Sequence, residues 1–188
     1  MSDLNELSEL AWKGLLDTKF EHHPVHSFYE GSTEIKSNLL AMKGIGGFFA
    51  IDTGDGLVMI DAGSQLDIET GYNEIKKWRP KDFLKAAIFT HHHVDHIFAI
   101  EKFDEECKIN NQPLPKVYAH ELTPDHFDRY KLTNGWNTAI NRRQFAIDVD
   151  KFKWPTEYRY PDETYKSKTS FKQGNLTFDS VSYTHLTL

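Results

Sequence analysis

Cysteine is almost missing from this chain of 188 residues, and the single one, Cys107, excludes an internal disulfide. The fold must therefore stand on packing alone, and the usage fits a reducing compartment. Long apolar runs are missing too, and none reaches the length that a bilayer span requires. The opening segment Met1-Ser2-Asp3-Leu4-Asn5-Glu6 lacks the basic and apolar stretches of a secretory signal. Nor is there a surplus of positive charge: a formal net charge of −6 argues against a nucleic-acid-binding surface. These absences lead us to expect a soluble, cytoplasmic protein with no membrane or nucleic-acid partner. Its length suits one domain.

What the chain does have is concentrated in Thr90-His91-His92-His93-Val94-Asp95-His96, where five of seven residues can bind a metal. Directly before it, Ala86-Ala87-Ile88-Phe89 reads as a buried strand. Imidazoles and a carboxylate crowded onto the end of such a strand would repel one another when protonated, or sit unsatisfied in a core. They suit a divalent cation, because neutral imidazole nitrogen and carboxylate oxygen are donors that Zn²⁺ and similar borderline ions accept. Residues two apart on extended backbone point to the same side, so His91 and His93 can converge on one ion. A tight turn into a helix then swings Asp95 and His96 toward a neighbouring position. A solvated run of histidines is the bland alternative. It explains neither the strand before the motif nor the helical pattern after it.

Taken as His91-x-His93-x-Asp95-His96, the motif resembles that of the metallo-β-lactamase superfamily of metal-dependent hydrolases. The resemblance implies that His91 and His93 hold a first metal and that Asp95 and His96 hold a second, with His92 at a variable position. It implies an α/β fold, the αββα sandwich, here incomplete: its first half plus a helical insertion. It implies Zn²⁺, two ions per complete domain, with iron or manganese as other metals. The expected activity is hydrolysis by a metal-bound hydroxide that Asp95 orients. The expected substrate is a small ester, lactone, thioester or sulfate ester. The fold also hosts iron-dependent oxidoreductases, so a non-haem iron oxidoreductase is one alternative, and an inactive fragment is another. The superfamily has an aspartate where Asp61 stands. The resemblance makes Asp61 the acceptor for the far ring N–H of a ligating histidine; capping of the following helix is the other reading.

Around the motif, Leu4, Leu7, Leu10 and Leu15 suggest a short helix and connector over residues 4–20. His22, His23 and His26 fall in a segment that reads as a surface strand or loop, with an approach to the site as the alternative. Strands are expected at 38–42, 47–52 and 57–61, the last two joined by the hairpin signal Thr53-Gly54-Asp55-Gly56. Gly44-x-Gly46-Gly47 invites a phosphate-loop reading, but a strand rather than a helix follows, so a turn is expected. An amphipathic helix is predicted over 67–78, a strand over 86–90, a helix from Ile97 to Cys107 and a strand over 116–120. Strand–helix–strand order of this kind implies an α/β arrangement.

Residues 121–171 mix aromatics such as Phe127, Tyr130, Trp136 and Trp154 with Arg129, Lys131, Arg142 and Arg143. They read either as a helical insertion that packs the core or as a substrate lid. In the second reading, Arg142 and Arg143 clamp an anionic substrate bidentately. Phe127-Asp128-Arg129-Tyr130 and Asn141-Arg142-Arg143-Gln144-Phe145 look similar to a branch of the superfamily related to alkylsulfatases.

The resemblance also calls for another histidine on the first metal, after a strand such as Asn175-Leu176-Thr177-Phe178, and His185 falls there. Yet Val181–Leu188 can be encoded by the end of a transposon adaptor used to prepare sequencing libraries. We therefore expect a superfamily domain over 1–180, cut short, and a non-native tail over 181–188; a genuine β-strand is the alternative. His120 and His126 are the other candidates for that ligand.

Overall fold

The computed structural model describes residues 31–44, 46–144 and 153–183, with a few positions between 6 and 15. The proposed amino-terminal helix, His22, His23, His26 and His185 lie mainly or wholly outside these residues. Nine strands are described: β1 (Ser32–Lys36), β2 (Leu39–Met42), β3 (Phe48–Asp52), β4 (Leu57–Ile60), β5 (Leu84–Ile88), β6 (Lys116–His120), β7 (Glu163–Tyr165), β8 (Lys168–Gln173) and β9 (Leu176–Val181). Three helices accompany them: α1 (Ile68–Trp78), α2 (Ile100–Ile109) and α3 (Thr123–Gln144).

Seven strands form one sheet in the order β1 to β7. The first four are an antiparallel meander, as their short connections allow. From β4 onward the pairing is parallel, and each parallel step is bridged by one helix. Parallel neighbours need such crossovers. The register sets Met42 opposite Phe48, Leu40 opposite Ala50, Ala50 opposite Met59, and Met59 opposite Ala87. One side of the sheet is thus continuously apolar, and it forms the core with Ile75, Ile100, Phe103, Phe127 and Trp154. Each large aliphatic or aromatic side chain so buried contributes about 1.5–3 kcal/mol.

The other side has a smaller cover, the antiparallel hairpin β8–β9. Phe171 stacks on Tyr118 with ring centroids 4.1 Å apart, and Phe178 stacks on Phe171. The hairpin tip reaches the β3–β4 turn, where Asn175 N donates to Thr53 O. Gly174, at φ +54, sits so close to the Thr53 carbonyl that a Cβ would collide with it. Phe49 is left 42% exposed, so the cover is partial.

Two boundaries differ from expectation. The strand predicted over 86–90 runs over 84–88, because the Thr90 N–H leaves the ladder for the Asp61 carboxylate. The helix predicted from Ile97 starts at Ile100. Ile97, Phe98 and Ala99 are buried, but Phe98 N and Ala99 N donate to Gly63 O and Ala62 O. Their apolar run records a loop packed against a loop rather than a helix face.

Arg159 ties the segment before β7 to the rest. Its guanidinium donates to Asp104 Oδ2 (3.0 Å) on α2, to Asp162 Oδ2 (2.8 Å) and to the Pro115 carbonyl. Burial raises the Asp104 pKa, and Arg159 offsets only part of that rise. Replacing Arg159 with Met strands a buried carboxylate, so we expect a loss of about 3 kcal/mol in urea unfolding. A carboxylate whose folded pKa lies above its unfolded value favours the fold at low pH and loses that contribution as pH rises. The deficit of Arg159→Met should therefore be largest near neutral pH and shrink toward about pH 4. An equal deficit at both would rule out Asp104 as the cause.

Candidate metal centre

The parallel pairing of β4 and β5 sets Ile60 beside Ile88, so both strands release their chains at the same edge of the sheet. That edge, at the carboxyl ends of parallel strands, is where open α/β sheets gather functional groups. β4 delivers Asp61 and β5 delivers Thr90 and the histidines. Asp61 is buried and adopts a left-handed backbone at φ +59, a conformation that costs a non-glycine residue about 1 kcal/mol or more. Its N–H donates to Ile88 O, which pins it to β5.

The Asp61 carboxylate organises what surrounds it. Oδ1 accepts from Thr90 N (2.7 Å), while Oδ2 accepts from Thr90 Oγ1 (2.8 Å) and lies 3.0 Å from His96 Nδ1. Thr90 Oγ1 also lies 2.9 Å from His91 Nδ1. The single hydroxyl proton of Thr90 goes to Asp61, so His91 Nδ1 must be the donor in that contact. Both His91 and His96 are thus engaged through Nδ1, and the Nε2 of His96 faces Asp95. Asp61 does not cap α1: Asp67 holds the N-cap position, and its carboxylate accepts from Ser64 N and Ser64 Oγ.

Asp61, His91 and His96 offer ligand atoms that all lie within 4.8 Å of one another. His93 and Asp95 stand beside this group. The His91 and His93 rings are 4.6 Å apart, and Asp95 Oδ2 is 3.4 Å from His96 Nε2. All four motif residues therefore meet, but the tightest group joins His91 to His96 and Asp61 rather than to His93. His96 lies between two carboxylates. Burial pulls its pKa down, yet the hydrogen bonds and charges of Asp61 and Asp95 outweigh that and push it up to about 9. Burial raises Asp95, but the His96 hydrogen bond and charge win and hold it below the usual carboxylate range. Burial, together with His96 and His93, keeps His91 low and neutral, the form that donates a lone pair.

The remaining candidates fall elsewhere. His92 turns to α3 and stacks on His126, with centroids 3.9 Å apart and rings 12° from parallel. His120 lies at the end of β6, with Nε2 on Lys166 O and Nδ1 accepting from Leu122 N. Neither His120 nor His126 joins the group around Asp61. Arg142 and Arg143 occupy the last turn of α3, and the cavity beside His92 is lined by Arg129 instead. Gly44 and Gly46 bring their loop down onto the site, where a Cβ would strike Asp67 and the Asp95 carbonyl respectively. That close approach explains the glycines without a phosphate. Sequence reasoning overlooked Thr90, whose signal was its place between the strand and the first histidine.

Several solved structures share this architecture. The stereoselective inverting sec-alkylsulfatase Pisa1 from Pseudomonas sp. matches with a TM-score of 0.63 at 18% identity, over 80% of this chain and 27% of its own. A Cronobacter sakazakii metallo-β-lactamase matches with a TM-score of 0.56 at 14% identity, over 81% of this chain and 53% of its own. The subclass B3 metallo-β-lactamase BJP-1 of Bradyrhizobium japonicum matches with a TM-score of 0.53 at 16% identity, over the same shares of the two chains, 81% and 53%. This chain thus spans between about a quarter and about half of those proteins. No curated protein matches it. The family model for the metallo-beta-lactamase superfamily matches residues 47–186, from β3 through the histidine motif to the hairpin, and the chain belongs to that superfamily.

Proposed function

We propose that this chain forms the metal-binding part of a metal-dependent hydrolase. One observation carries the reading: a buried carboxylate engages two motif histidines through Nδ1, one directly and one through Thr90, which leaves His91 Nε2 free for ligation and turns His96 Nε2 toward Asp95, where a divalent ion would replace the proton they share. The donors fit a borderline divalent ion. Imidazoles that have shed a proton and carboxylates are what Zn²⁺ takes, and the motif brings His91 within 4.6 Å of His93, ring to ring, and His96 Nε2 within 3.4 Å of Asp95 Oδ2. His91, His93, Asp95 and His96 would hold the metal, Zn²⁺ first among the candidates and two ions in a complete domain. Asp61 would align His91 and His96 from behind. A divalent ion bound there supplies Lewis acidity and lowers the pKa of coordinated water. Asp95 remains ionised and accepts a hydrogen bond from the attacking water, which fixes its direction. The substrate class is a small ester, lactone, thioester or sulfate ester, and the sec-alkylsulfatase among the structural neighbours keeps sulfate esters within it.

Metal analysis after dialysis against Zn²⁺ should find bound metal in this chain. His91→Ala should reduce its affinity at least about 100-fold, and any ester hydrolysis should fall with it. Unchanged metal content would remove His91 from the ligand set. Iron with oxygen consumption, in place of zinc with hydrolysis, would favour an oxidoreductase.

A second variant isolates the alignment. Thr90→Val keeps the shape but deletes the hydroxyl between Asp61 and His91. Competition with a chromophoric chelator should show Zn²⁺ binding weakened about 10-fold, and Thr90→Ser should restore it. Equal affinity in all three proteins would mean that the hydroxyl orients nothing.

A further inference from the structure

A second feature adjoins the candidate metal centre through His92, whose ring lies 5.0 Å from that of His93 and 6.4 Å from that of His91. One face of α3, carrying His126, Arg129, Tyr130, Thr133, Trp136 and Asn137, stands over His92 and encloses a cleft of about 260 Å³. These residues follow helical spacing, so the cleft is built by one helix face against one loop. Its walls are rings. His92 stacks on His126, Tyr130 lies 5.6 Å from His92, and Trp136 is 69% exposed at the rim. Its polar groups lie along the same helix face. Thr133 Oγ1 donates to Arg129 O, and Asn137 Nδ2 donates to Thr133 Oγ1, which leaves Asn137 one amide hydrogen and its carbonyl. Arg79 and Arg159 are both paired with carboxylates, whereas Arg129 has no carboxylate partner among the described residues.

We propose that this cleft binds the non-reacting part of the substrate: a single aromatic ring carrying an anionic group, the ring lying among His92, Tyr130 and Trp136 and the anion on Arg129. Aromatic walls select a flat apolar group over a branched chain. An unpaired guanidinium at a ring-lined cleft selects a carboxylate-like anion, which it can grip with two parallel hydrogen bonds. The volume lies just below the usual range for drug-sized ligands, about 300–1,000 Å³, so one ring with its anion is the size admitted. That the ligand is substrate rests on the hydrolase reading; that the cleft binds it does not.

The test uses the full chain stripped of metal, with phenylacetate as the probe and ligand-observed NMR as the readout. Phenylacetate should bind saturably. Arg129→Gln should weaken it about 10-fold, the worth of one charge-assisted contact. Trp136→Ala should weaken it severalfold. Both residues are exposed, so neither substitution threatens the fold. On the unaltered chain, neutral phenylacetamide should bind about 10-fold more weakly than phenylacetate, which removes any dependence on a variant. Acetate should bind more weakly still. Equal binding of phenylacetate and phenylacetamide would overturn the anion assignment, and equal binding of acetate and phenylacetate would overturn the aromatic one. Binding that survives in a protein with no metal affinity would sink the hydrolase reading and leave the cleft standing. Metal-dependent hydrolysis without phenylacetate binding would do the reverse.

Discussion

The candidate metal centre depends on one buried carboxylate that has to be satisfied. Asp61 has almost no access to water, and a charge in that position persists only when its oxygens are hydrogen-bonded. The partners it finds are the backbone and hydroxyl of Thr90 and the imidazole of His96. Meeting them requires a left-handed turn at the end of β4, strained for any residue other than glycine. The strain is tolerated because the Asp61 N–H is also held, by Ile88 O on the neighbouring strand. The parallel pairing of β4 with β5, the strained turn and the orientation of two histidines are therefore one interlocked arrangement. A change in any of the three is felt by the other two.

Much of this was legible in the chain. Two strands of the meander showed themselves as short apolar runs joined by the turn Thr53-Gly54-Asp55-Gly56, although only the structure shows that Phe48 and Ala50 face the core while Phe49 does not. α1 was legible because its apolar positions recur at helical spacing and Arg79-Pro80 stops them. The motif was legible because its donors are contiguous. What stayed hidden depends on distant partners. Ile97 to Ala99 are apolar for the sake of Ala62 and Gly63, more than thirty residues earlier, and local periodicity mistook them for a helix. α3 showed no single apolar stripe, because it serves several surroundings at once. Phe127 and Thr138 face the core, His126 and Asn137 face the cleft, and Leu132 faces solvent at 87% exposure. Arg159 reads as any surface cation until Asp104, on another element, is seen beside it.

The two faces of the sheet carry different weights. At β4 both faces are closed, as the complete burial of Val58 and Met59 shows, while Tyr118 on β6 is half-buried beneath the hairpin. A parallel sheet requires this, and it gives the site a rigid backing. Toward β1 and β3 the outer face is thinner, and Phe49 and Ile35 reach solvent. The hairpin β8–β9 covers the region around Tyr118 and stops there. Rigidity is thus greatest at the strands that deliver Asp61 and the histidines, where small displacements matter most to a ligand set.

Three consecutive histidines look redundant until their directions are compared. His91 faces His96 and His93 on one side of the loop, while His92 faces His126 and Tyr130 on the other. The loop bends at Thr90 and His91, and the His92 ring still lies 5.0 Å from that of His93, so the two sides adjoin. The outcome separates two tasks that most sites must share. The side toward Asp61 holds the imidazoles and carboxylates of the candidate metal centre. The side toward α3 holds the cleft, and all of its lining but His92 sits on a helix that contributes nothing to the group around Asp61. Substitutions along the α3 face can therefore reshape the cleft while the arrangement around Asp61 stays fixed. A fold whose members differ in what they act on needs that independence, and here a single imidazole at position 92 is where the two sides meet.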